Sequence, residues 1–186
     1  QVSRGAVRRD HPIPDDVPRP TLIMTARAQD PAIGEKKRKE GIAVITRPDQ
    51  RWARRDIKTV QLLPNLLAKT EARKAGAYEA WLVDHEGFVT EGSSSNAWIV
   101  DSANNVVTRQ LSNDILPGVT RRIILEAAAE AGQPIIERKF TVAEALKARE
   151  AFLSSASGAA IPVVKIDGSA IGDGTPGPLT RRIHAL

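Results

Sequence analysis

The sequence predicts an α+β fold, because short apolar runs of strand length are mixed irregularly with stretches of helical spacing. Gly, Pro, Asn and Ser separate most of these runs and mark the turns between them. The chain has 186 residues and 41% hydrophobic content, which is enough for one substantial core but short for two full domains. One main domain is therefore expected.

The first quarter of the chain contains two predicted strands. Residues 21–26 and residues 41–46 are rich in β-branched and apolar side chains and are bounded by Pro, Gly and charge. Between them, residues 35–40 form a charged run with an acid at each end and no aromatic side chain. We predict a solvated loop for this run.

Two amphipathic helices are predicted further along the chain. In residues 62–74, the side chains of Leu63, Leu66 and Leu67 lie near helical spacing, and a glycine follows where the helix would end. Residues 121–131 are rich in Ile, Leu and Ala, follow a Pro-Gly pair and also end at a glycine. Both stretches have the length of an ordinary helix.

The remaining elements are predicted strands and one short helix. Residues 78–110 contain short apolar runs separated by Gly, Ser and Asn turns, which predicts an antiparallel meander. Residues 134–140 form a further predicted strand, and a Thr-x-x-Glu capping box opens a short helix over residues 141–149. Residues 151–154 and 161–166 complete the set of strands.

Charge and aromatic content argue against a nucleic-acid partner. Lys and Arg total 27 and Asp and Glu total 22, a net charge of +5 that raises the question of an anionic partner. The chain has three Trp, three Phe and one Tyr, too few for the stacking platforms of single-strand binders. No nucleic acid is expected as a partner.

The sequence also argues against disulfides, metal sites and membrane spans. Cysteine is absent, which excludes disulfides and thiolate ligands and is compatible with a reducing cytoplasm. His11, His85 and His184 lack metal-ligand spacing, so no metal site is expected. No apolar run approaches the roughly 18 residues of a membrane span. We predict a cytoplasmic protein without a membrane partner.

Lys58 and Glu91 carry the first chemical hypothesis. A lysine amine can form a Schiff base with an aldehyde cofactor, and an acidic side chain can hold the ring nitrogen of that cofactor protonated. Lys58 precedes a predicted apolar helix, where partial burial would favour its neutral, nucleophilic amine. Together the two residues suggest a pyridoxal phosphate enzyme. Taken alone, Lys58 fits better as a solvated charge and Glu91 fits a serine-rich turn.

Two further segments could contact such a cofactor. Gly118, Val119 and Thr120 stand at the start of the second predicted helix, where N–H groups and the helix dipole suit an anion. Simple capping explains the same residues and is the better interpretation without other observations. Residues 154–158 offer backbone N–H groups and hydroxyls after a predicted strand, or else form a polar loop.

In their order along the chain, these motifs resemble the class IV, or fold type IV, pyridoxal phosphate aminotransferases. The resemblance covers nearly all of the chain and is specific because the motifs occur jointly. The motifs are Val2-Ser3-Arg4-Gly5, Arg9-Asp10-His11, Pro20-Thr21-Leu22-Ile23-Met24-Thr25, Arg54-Arg55-Asp56-Ile57-Lys58-Thr59, Leu62-Leu63-Pro64-Asn65, Thr90-Glu91-Gly92-Ser93-Ser94-Ser95-Asn96, Leu116-Pro117-Gly118-Val119-Thr120-Arg121 and Gly177-Pro178-Leu179-Thr180-Arg181.

The resemblance implies a role for each candidate. Lys58 is expected to be the Schiff-base lysine and the general base that moves the substrate Cα proton, and Glu91 to pair with the protonated pyridine nitrogen. The other expected cofactor contacts are Ser94, Ser95, Asn96 and Gly118, with Val119, Thr120, Ala156 and Ser157 at the phosphate. Many relatives carry threonine where this chain has Ala156, so a backbone N–H must serve there.

Arg9 and His11 indicate a substrate within the family. The Arg-x-His pair resembles the carboxylate trap of the D-amino acid enzymes, which decides the enantiomer that presents its Cα–H to the base. The expected reaction is therefore transamination between a D-amino acid and a 2-oxo acid such as 2-oxoglutarate. A branched-chain aminotransferase, an aminodeoxychorismate lyase and a non-catalytic form of the scaffold remain alternatives, as does a structural Arg and a surface His.

The resemblance also implies a domain arrangement. The family has an N-terminal small domain, and the chain begins at Gln1 rather than Met, so an N-terminal truncation that lacks this domain is expected. Residues 1–34 are expected to be a remnant of the small domain and the interdomain linker. Residues 35–186 are expected to be the cofactor-binding large domain, a β-barrel-like core of mixed sheet with flanking helices. The family forms homodimers, so a homodimer is expected.

Overall fold

The structure, a computed structural model, describes residues 1–8, 10–16 and 18–186. Contacts between Cα atoms divide the chain into two compact units, Gln1–Pro31 and Ala32–Leu186. The expected division into a small-domain remnant with the interdomain linker at residues 1–34 and a large domain at residues 35–186 stays a prediction.

The first unit contains one short strand pair. Strand β1 (Val2–Ser3) pairs with β2 (Thr21–Leu22) in antiparallel fashion, and the Ile23 N–H donates to the Gln1 carbonyl at 2.9 Å. The strand predicted over residues 21–26 is therefore shorter than expected. Its residues beyond this pairing find no further ladder partner among the described residues, because β1 is itself only two residues long.

The rest of the chain contains the sheet and the helices. In chain order these elements are α1 (Pro31–Glu40), β3 (Ile42–Pro48), α2 (Leu63–Lys74), β4 (Glu79–Val83), β5 (Val89–Gly92), β6 (Asn96–Val100), β7 (Val106–Thr108), α3 (Val119–Glu130), β8 (Ile135–Glu137), α4 (Val142–Leu146), β9 (Glu150–Ser155), β10 (Gly158–Ile166), β11 (Ser169–Ala170) and α5 (Pro178–Ala185). None of the helices in the described residues combines the length and the apolar content needed to cross a membrane.

The strands β3 to β11 form one mixed sheet that curls into a half-barrel. The strand order is β5-β4-β3-β10-β9-β6-β7-β8, with β11 paired to β10. Strand β3 is parallel to both β4 and β10, and β7 is parallel to β8. The two ends of the curl approach each other where Phe88 bridges to Thr141 and the Val89 N–H donates to the Phe140 carbonyl at 3.0 Å. The predicted α+β class is confirmed.

The predicted meander is wrong in its middle. Strands β4 and β5 form one antiparallel pair and β6 and β7 another, but β6 pairs with β9 instead of β5. The ladder between β6 and β9 runs from Asn96 opposite Ser154 to Val100 opposite Glu150. This five-residue ladder joins segments that are distant in sequence, which local turn signals cannot reveal.

Two apolar layers lie on the two faces of this sheet. Side chains alternate along β6, so Trp98 faces α3 and α5 while Ile99 faces the opposite layer. The rings of Trp98 and Phe152 stack with centroids 5.2 Å apart, and the Trp98 indole N–H donates to the Ser154 hydroxyl at 2.9 Å. Each such buried aromatic ring contributes about 1.5–3 kcal/mol. Strands β6 and β9 are thus fixed at the centre of the fold.

Helix α1 corrects a prediction, α5 was not predicted and α4 confirms a prediction. The charged run at residues 35–40 belongs to α1 and is not a loop; its basic last turn suits the negative end of the helix dipole. Helix α5 was not predicted, and its first turn is held because the Glu150 carboxylate accepts from the N–H groups of Leu179 and Thr180. Helix α4 is capped by Thr141, which forms the predicted capping box with Glu144.

Helix α2 confirms the helix predicted over residues 62–74. Its small residues Ala68 and Ala72 are buried against β3 and β4. The leucines that gave the helical spacing point outward instead, with Leu63, Leu66 and Leu67 exposed by 64%, 59% and 53%. Alanines let the helix backbone lie close to the sheet, so the longer side chains take the outer face.

Candidate active site

Glu91 is the buried acid of the site. All four residues of β5 are buried, so the position of Glu91 in this strand removes its carboxylate from water. The carboxylate forms an ion pair with Arg51 and accepts from the Asn96 amide at 3.0 Å and from the Leu116 N–H at 3.1 Å. Burial raises the pKa of Glu91 to about 7, although Arg51 and the Leu116 N–H act in the opposite direction.

Asn96 connects this acid to the start of α3. Its amide donates both to Glu91 and, at 3.1 Å, to the carbonyl of Leu116. Gly118 follows as the residue that caps α3 in an extended conformation. A Cβ atom at Gly118 would lie 2.3 Å from the Asn96 side-chain oxygen, so glycine is needed for this close approach. The structure thus brings together Glu91, Asn96 and Gly118.

Thr120 connects the same helix start to the turn between β9 and β10. Its hydroxyl donates to the Ser155 carbonyl at 3.0 Å and does not cap α3, so the capping interpretation holds for Gly118 and is wrong for the Thr120 side chain. The two segments predicted to meet the phosphate, around Val119 and around Ala156, are therefore adjacent. Because the Thr120 hydroxyl hydrogen is already used, backbone N–H groups are the donors that an anion would find here.

A cavity of about 290 Å³ opens beside this turn. Its lining includes four of the predicted cofactor contacts and leaves out Lys58 and Glu91. The lining residues are Tyr78, Glu79, Ser94, Ser95, Leu153, Ser155, Ala156 and Ser157. Most of these side chains are small or polar.

Glu79 is a buried acid in this cavity that the sequence analysis did not single out. The hydroxyls of Ser94 and Ser95 donate to its carboxylate at 2.8 and 3.2 Å, and the Lys69 ammonium lies at 3.2 Å. A serine hydroxyl has one hydrogen to donate, so both serines turn lone pairs toward other neighbours. An acid inside the apolar strand β4 was the signal available in the sequence.

Lys58 lies in the connection between β3 and α2, and its side chain is exposed. The expected partial burial is therefore wrong for this structure, because the preceding apolar residue Ile57 also faces outward. No described residue makes a hydrogen bond or ion pair with Lys58. The segment before it is nevertheless anchored, since the Arg55 N–H donates to the Asn113 carbonyl at 2.9 Å and its guanidinium donates to Asp114 at 2.8 Å.

The two predicted substrate residues belong to the first unit. Arg9 lies outside the described residues. His11 is fully exposed, and its backbone N–H donates to the Asp10 carboxylate at 2.7 Å. Their proposed role as a carboxylate trap stays a prediction.

The residues of the second unit fit pyridoxal phosphate. Burial raises the pKa of Glu91 to about 7, so near neutral pH this carboxyl could give its proton to a pyridine nitrogen in contact with it and remain ionised there. The start of α3 and the turn after β9 are tied together by Thr120, and the unpaired N–H groups of the first helical turn suit a phosphate. The Asn96 contact at Gly118 holds the acid and the helix start in one arrangement.

Comparison with known families identifies the family of the chain. A family model described as amino-transferase class IV matches residues 1–166. The chain belongs to the class IV aminotransferases. These enzymes depend on pyridoxal phosphate, so both the resemblance and the cofactor class are confirmed for the family.

Curated relatives of the chain are named D-alanine aminotransferases. The protein of Bacillus licheniformis is 39% identical over 184 residues, which is 99% of this chain and 63% of the relative. The protein of Listeria monocytogenes is 40% identical over 186 residues, again 99% of this chain and 63% of the relative. The chain thus spans less than two thirds of the length of the relatives it matches.

Solved structures of the family share the fold. The T.th. branched-chain aminotransferase with pyridoxamine 5'-phosphate matches with a TM-score of 0.73 and 30% identity, over 82% of this chain and 51% of that chain. The branched-chain aminotransferase of Escherichia coli matches with a TM-score of 0.70 and 29% identity, over 81% of this chain and 51% of that chain. The predicted fold type IV architecture is confirmed.

Proposed function

We propose that the protein is a pyridoxal phosphate-dependent aminotransferase that exchanges an amino group between a D-amino acid such as D-alanine and a 2-oxo acid such as 2-oxoglutarate. The observation that carries the reaction class is the buried Glu91, held by Arg51, Asn96 and the Leu116 N–H. The names of the relatives support the choice of a D-amino acid.

The central predicted residues have tasks in this proposal. Glu91 pairs with the pyridine nitrogen, and Val119, Thr120, Ala156 and Ser157 surround the phosphate. When bound, pyridoxal phosphate withdraws electrons from the substrate Cα, so that the proton there can be removed. Lys58 attaches the cofactor and moves that proton as the general base. Its exposed position leaves its amine free to do so.

Glu91 supports proton removal by remaining ionised beside the ring nitrogen. A carboxylate at this place favours the protonated pyridine, which is the better electron acceptor. Asn96 and the Leu116 N–H each donate to the same carboxylate oxygen, so that oxygen is fixed in orientation. The second oxygen is held by Arg51.

The substrate choice rests on Arg9 and His11, which we propose trap the α-carboxylate of a D-amino acid. The two solved structures described above are branched-chain aminotransferases, which makes an L-leucine enzyme the second candidate. Assays with 2-oxoglutarate and either D-alanine or L-leucine separate the two. Faster turnover of D-alanine is the expected result. Turnover of L-leucine or of aminodeoxychorismate instead would overturn the substrate assignment.

Cofactor attachment is tested separately from turnover. The protein is incubated with pyridoxal phosphate and reduced with borohydride, and the modified peptide is located by mass spectrometry. We expect the added mass on Lys58. A folded protein that stays colourless and unmodified would favour the non-catalytic alternative.

We further propose that two copies of the chain associate through the outer face of α2. Leu63, Leu66 and Leu67 form an exposed apolar row there, continued by Val60 and Leu62. Such a row costs free energy when it faces water and marks an interaction surface. A second copy is the occupant that the family resemblance implies.

The cytoplasmic location stays a prediction.

The proposed association predicts that the exposed leucines of α2 determine the molar mass of the protein in solution. A Leu63→Glu/Leu66→Glu double variant should shift the protein from dimer to monomer, because burial of two carboxylates at an apolar interface is costly. Light scattering after size exclusion measures this directly. Lys74→Ala, at the end of the same helix, is the matched control and should stay dimeric. A wild-type protein that is monomeric at all concentrations would refute the proposed association.

A further inference from the structure

Arg51 joins two buried carboxylates behind the candidate site. One edge of its guanidinium contacts Asp49, with Nε at 2.9 Å from Oδ1 and Nη2 at 2.7 Å from Oδ2. Its remaining nitrogen, Nη1, forms the ion pair with Glu91 Oε1. The exposed fractions of the three side chains are 8% for Arg51, 0% for Asp49 and 5% for Glu91. Water therefore does little to screen these charges.

Asp49 is fixed independently of Glu91. Its Oδ2 accepts from the Thr90 hydroxyl at 2.7 Å, and the Arg55 Nε lies 3.4 Å away. Burial acts to raise the pKa of Asp49, but its hydrogen bonds and ion pair with Arg51 hold the pKa below its ordinary value. Asp49 thus remains a carboxylate that orients the guanidinium of Arg51.

We propose that Arg51, aligned by Asp49, is a positioning residue that aims the Glu91 carboxylate and keeps it ionised for the cofactor ring nitrogen. The inference rests on the proposed function, since it assigns Glu91 to that nitrogen. It adds two residues, Asp49 and Arg51, that lie 9 and 7 positions before Lys58 in the same connection. The loop that carries the lysine therefore also controls the charge of the acid.

The geometry explains why arginine is needed at residue 51. A guanidinium is planar and offers donors along two edges, so it can grip Asp49 with one edge and reach Glu91 with another nitrogen. A lysine ammonium has one nitrogen and cannot reproduce this fixed fork. Without a cation here, two buried carboxylates would face each other, and Glu91 would take up a proton. A protonated Glu91 cannot stabilise a protonated ring nitrogen.

The charged and polar groups around Glu91 come from three parts of the chain. The connection after β3 contributes Asp49, Arg51 and Arg55. Strand β6 contributes the neutral amide of Asn96. The segment before α3 contributes the Leu116 N–H and, further out, Asp114, which is paired with Arg55 and with Arg109. Among these groups, Arg51 is the cation in direct contact with Glu91.

A titration of the cofactor-free protein tests the inference without any assumption about the reaction. The Glu91 carboxyl is followed by ¹³C NMR in the wild type, Arg51→Met and Arg51→Lys, and is assigned through Glu91→Gln. In Arg51→Met the titration midpoint should rise by about 1–3 pH units, because an opposite charge in contact has been removed. Arg51→Lys should show a smaller rise. The matched control is Arg54→Met, because Arg54 is exposed and pairs with Asp56.

A second measurement reads the ring nitrogen itself. Bound pyridoxal phosphate labelled with ¹⁵N should report a protonated nitrogen in the wild type near neutral pH and a deprotonated one in Arg51→Met. A purely structural role for Arg51 would lower stability without moving this signal.

Each outcome is decisive. An unchanged Glu91 midpoint in folded Arg51→Met would overturn the inference, whatever the cofactor does. If Arg51→Met does not fold, an unchanged midpoint in Arg51→Lys would overturn it equally. A shifted midpoint in a protein that binds no pyridoxal phosphate would uphold the charge relation between Arg51 and Glu91 but overturn the proposed function and the cofactor role built on it.

Discussion

The Lys58→Ala variant should have a D-alanine transamination rate at least about 10²-fold lower than the wild type. Loss of a general base alone usually lowers a rate by about 10²–10⁴-fold. The fall in rate should exceed this range, because the variant also lacks the amine that attaches the cofactor. Borohydride reduction should no longer place added mass on the peptide that contains residue 58. Initial rates and peptide mass spectrometry measure the two effects.

Stability provides the first control for Lys58→Ala. No described residue makes a hydrogen bond or ion pair with Lys58, so the free energy of unfolding should stay within about 0.5 kcal/mol of the wild type. Lys74→Ala, at the exposed end of α2, is the matched lysine control and should keep both rate and modification. Equal modification of wild type and Lys58→Ala would show that another lysine holds the cofactor.

Replacement of Glu91 by Gln should change how stability depends on pH in the cofactor-free protein. Burial raises the pKa of Glu91 from its ordinary 4.5 to about 7, so the folded protein binds this proton more tightly than the unfolded chain does. The resulting stabilisation is fully present below pH 4.5 and is lost as the pH rises through about 7. At 1.36 kcal/mol for each pH unit, the loss amounts to about 3 kcal/mol.

Urea unfolding of wild type and Glu91→Gln between pH 4 and pH 9 measures this effect. Asp49 and Asp114 have lowered pKa values and act in the opposite direction, but both proteins contain them. The difference between the two proteins therefore isolates Glu91. The wild type should lose stability relative to Glu91→Gln across this range. A difference that does not vary with pH would contradict the raised pKa.

Glu91→Gln should also impair catalysis. Glutamine keeps the shape of the side chain but removes the charge that holds the ring nitrogen protonated. The electron-withdrawing form of the ring is then less populated, and removal of the Cα proton slows. Cofactor attachment at Lys58 should persist in this variant, which distinguishes the two predictions.

Much of this fold could be predicted because its signals are local. The capping box from Thr141 to Glu144 needs residues three positions apart, and the structure contains it. The positions of α2 and α3 follow from the spacing of apolar residues over a few turns. The family could be predicted as well, because its motifs are short and keep a fixed order.

Other features depended on partners that are distant in sequence. Strand β6 pairs with β9, more than 50 residues later, so the turn signals around residues 92–95 gave the wrong neighbour. Helix α2 lies on the sheet through Ala68 and Ala72, and helical spacing does not say which face is inward. Helix α5 depends on Glu150 in β9, and no sequence neighbour of the helix signals that contact.

The same division holds in the candidate site. The sequence by itself determined which residue types are present and in which order, and from these alone Lys58 and Glu91 could be named. Only the tertiary structure decided that Glu91 is buried, that Arg51 reaches it across 40 residues and that the nearby serines donate to Glu79. The protonation of a carboxylate depends on burial and on charges within a few ångströms, and folding sets both.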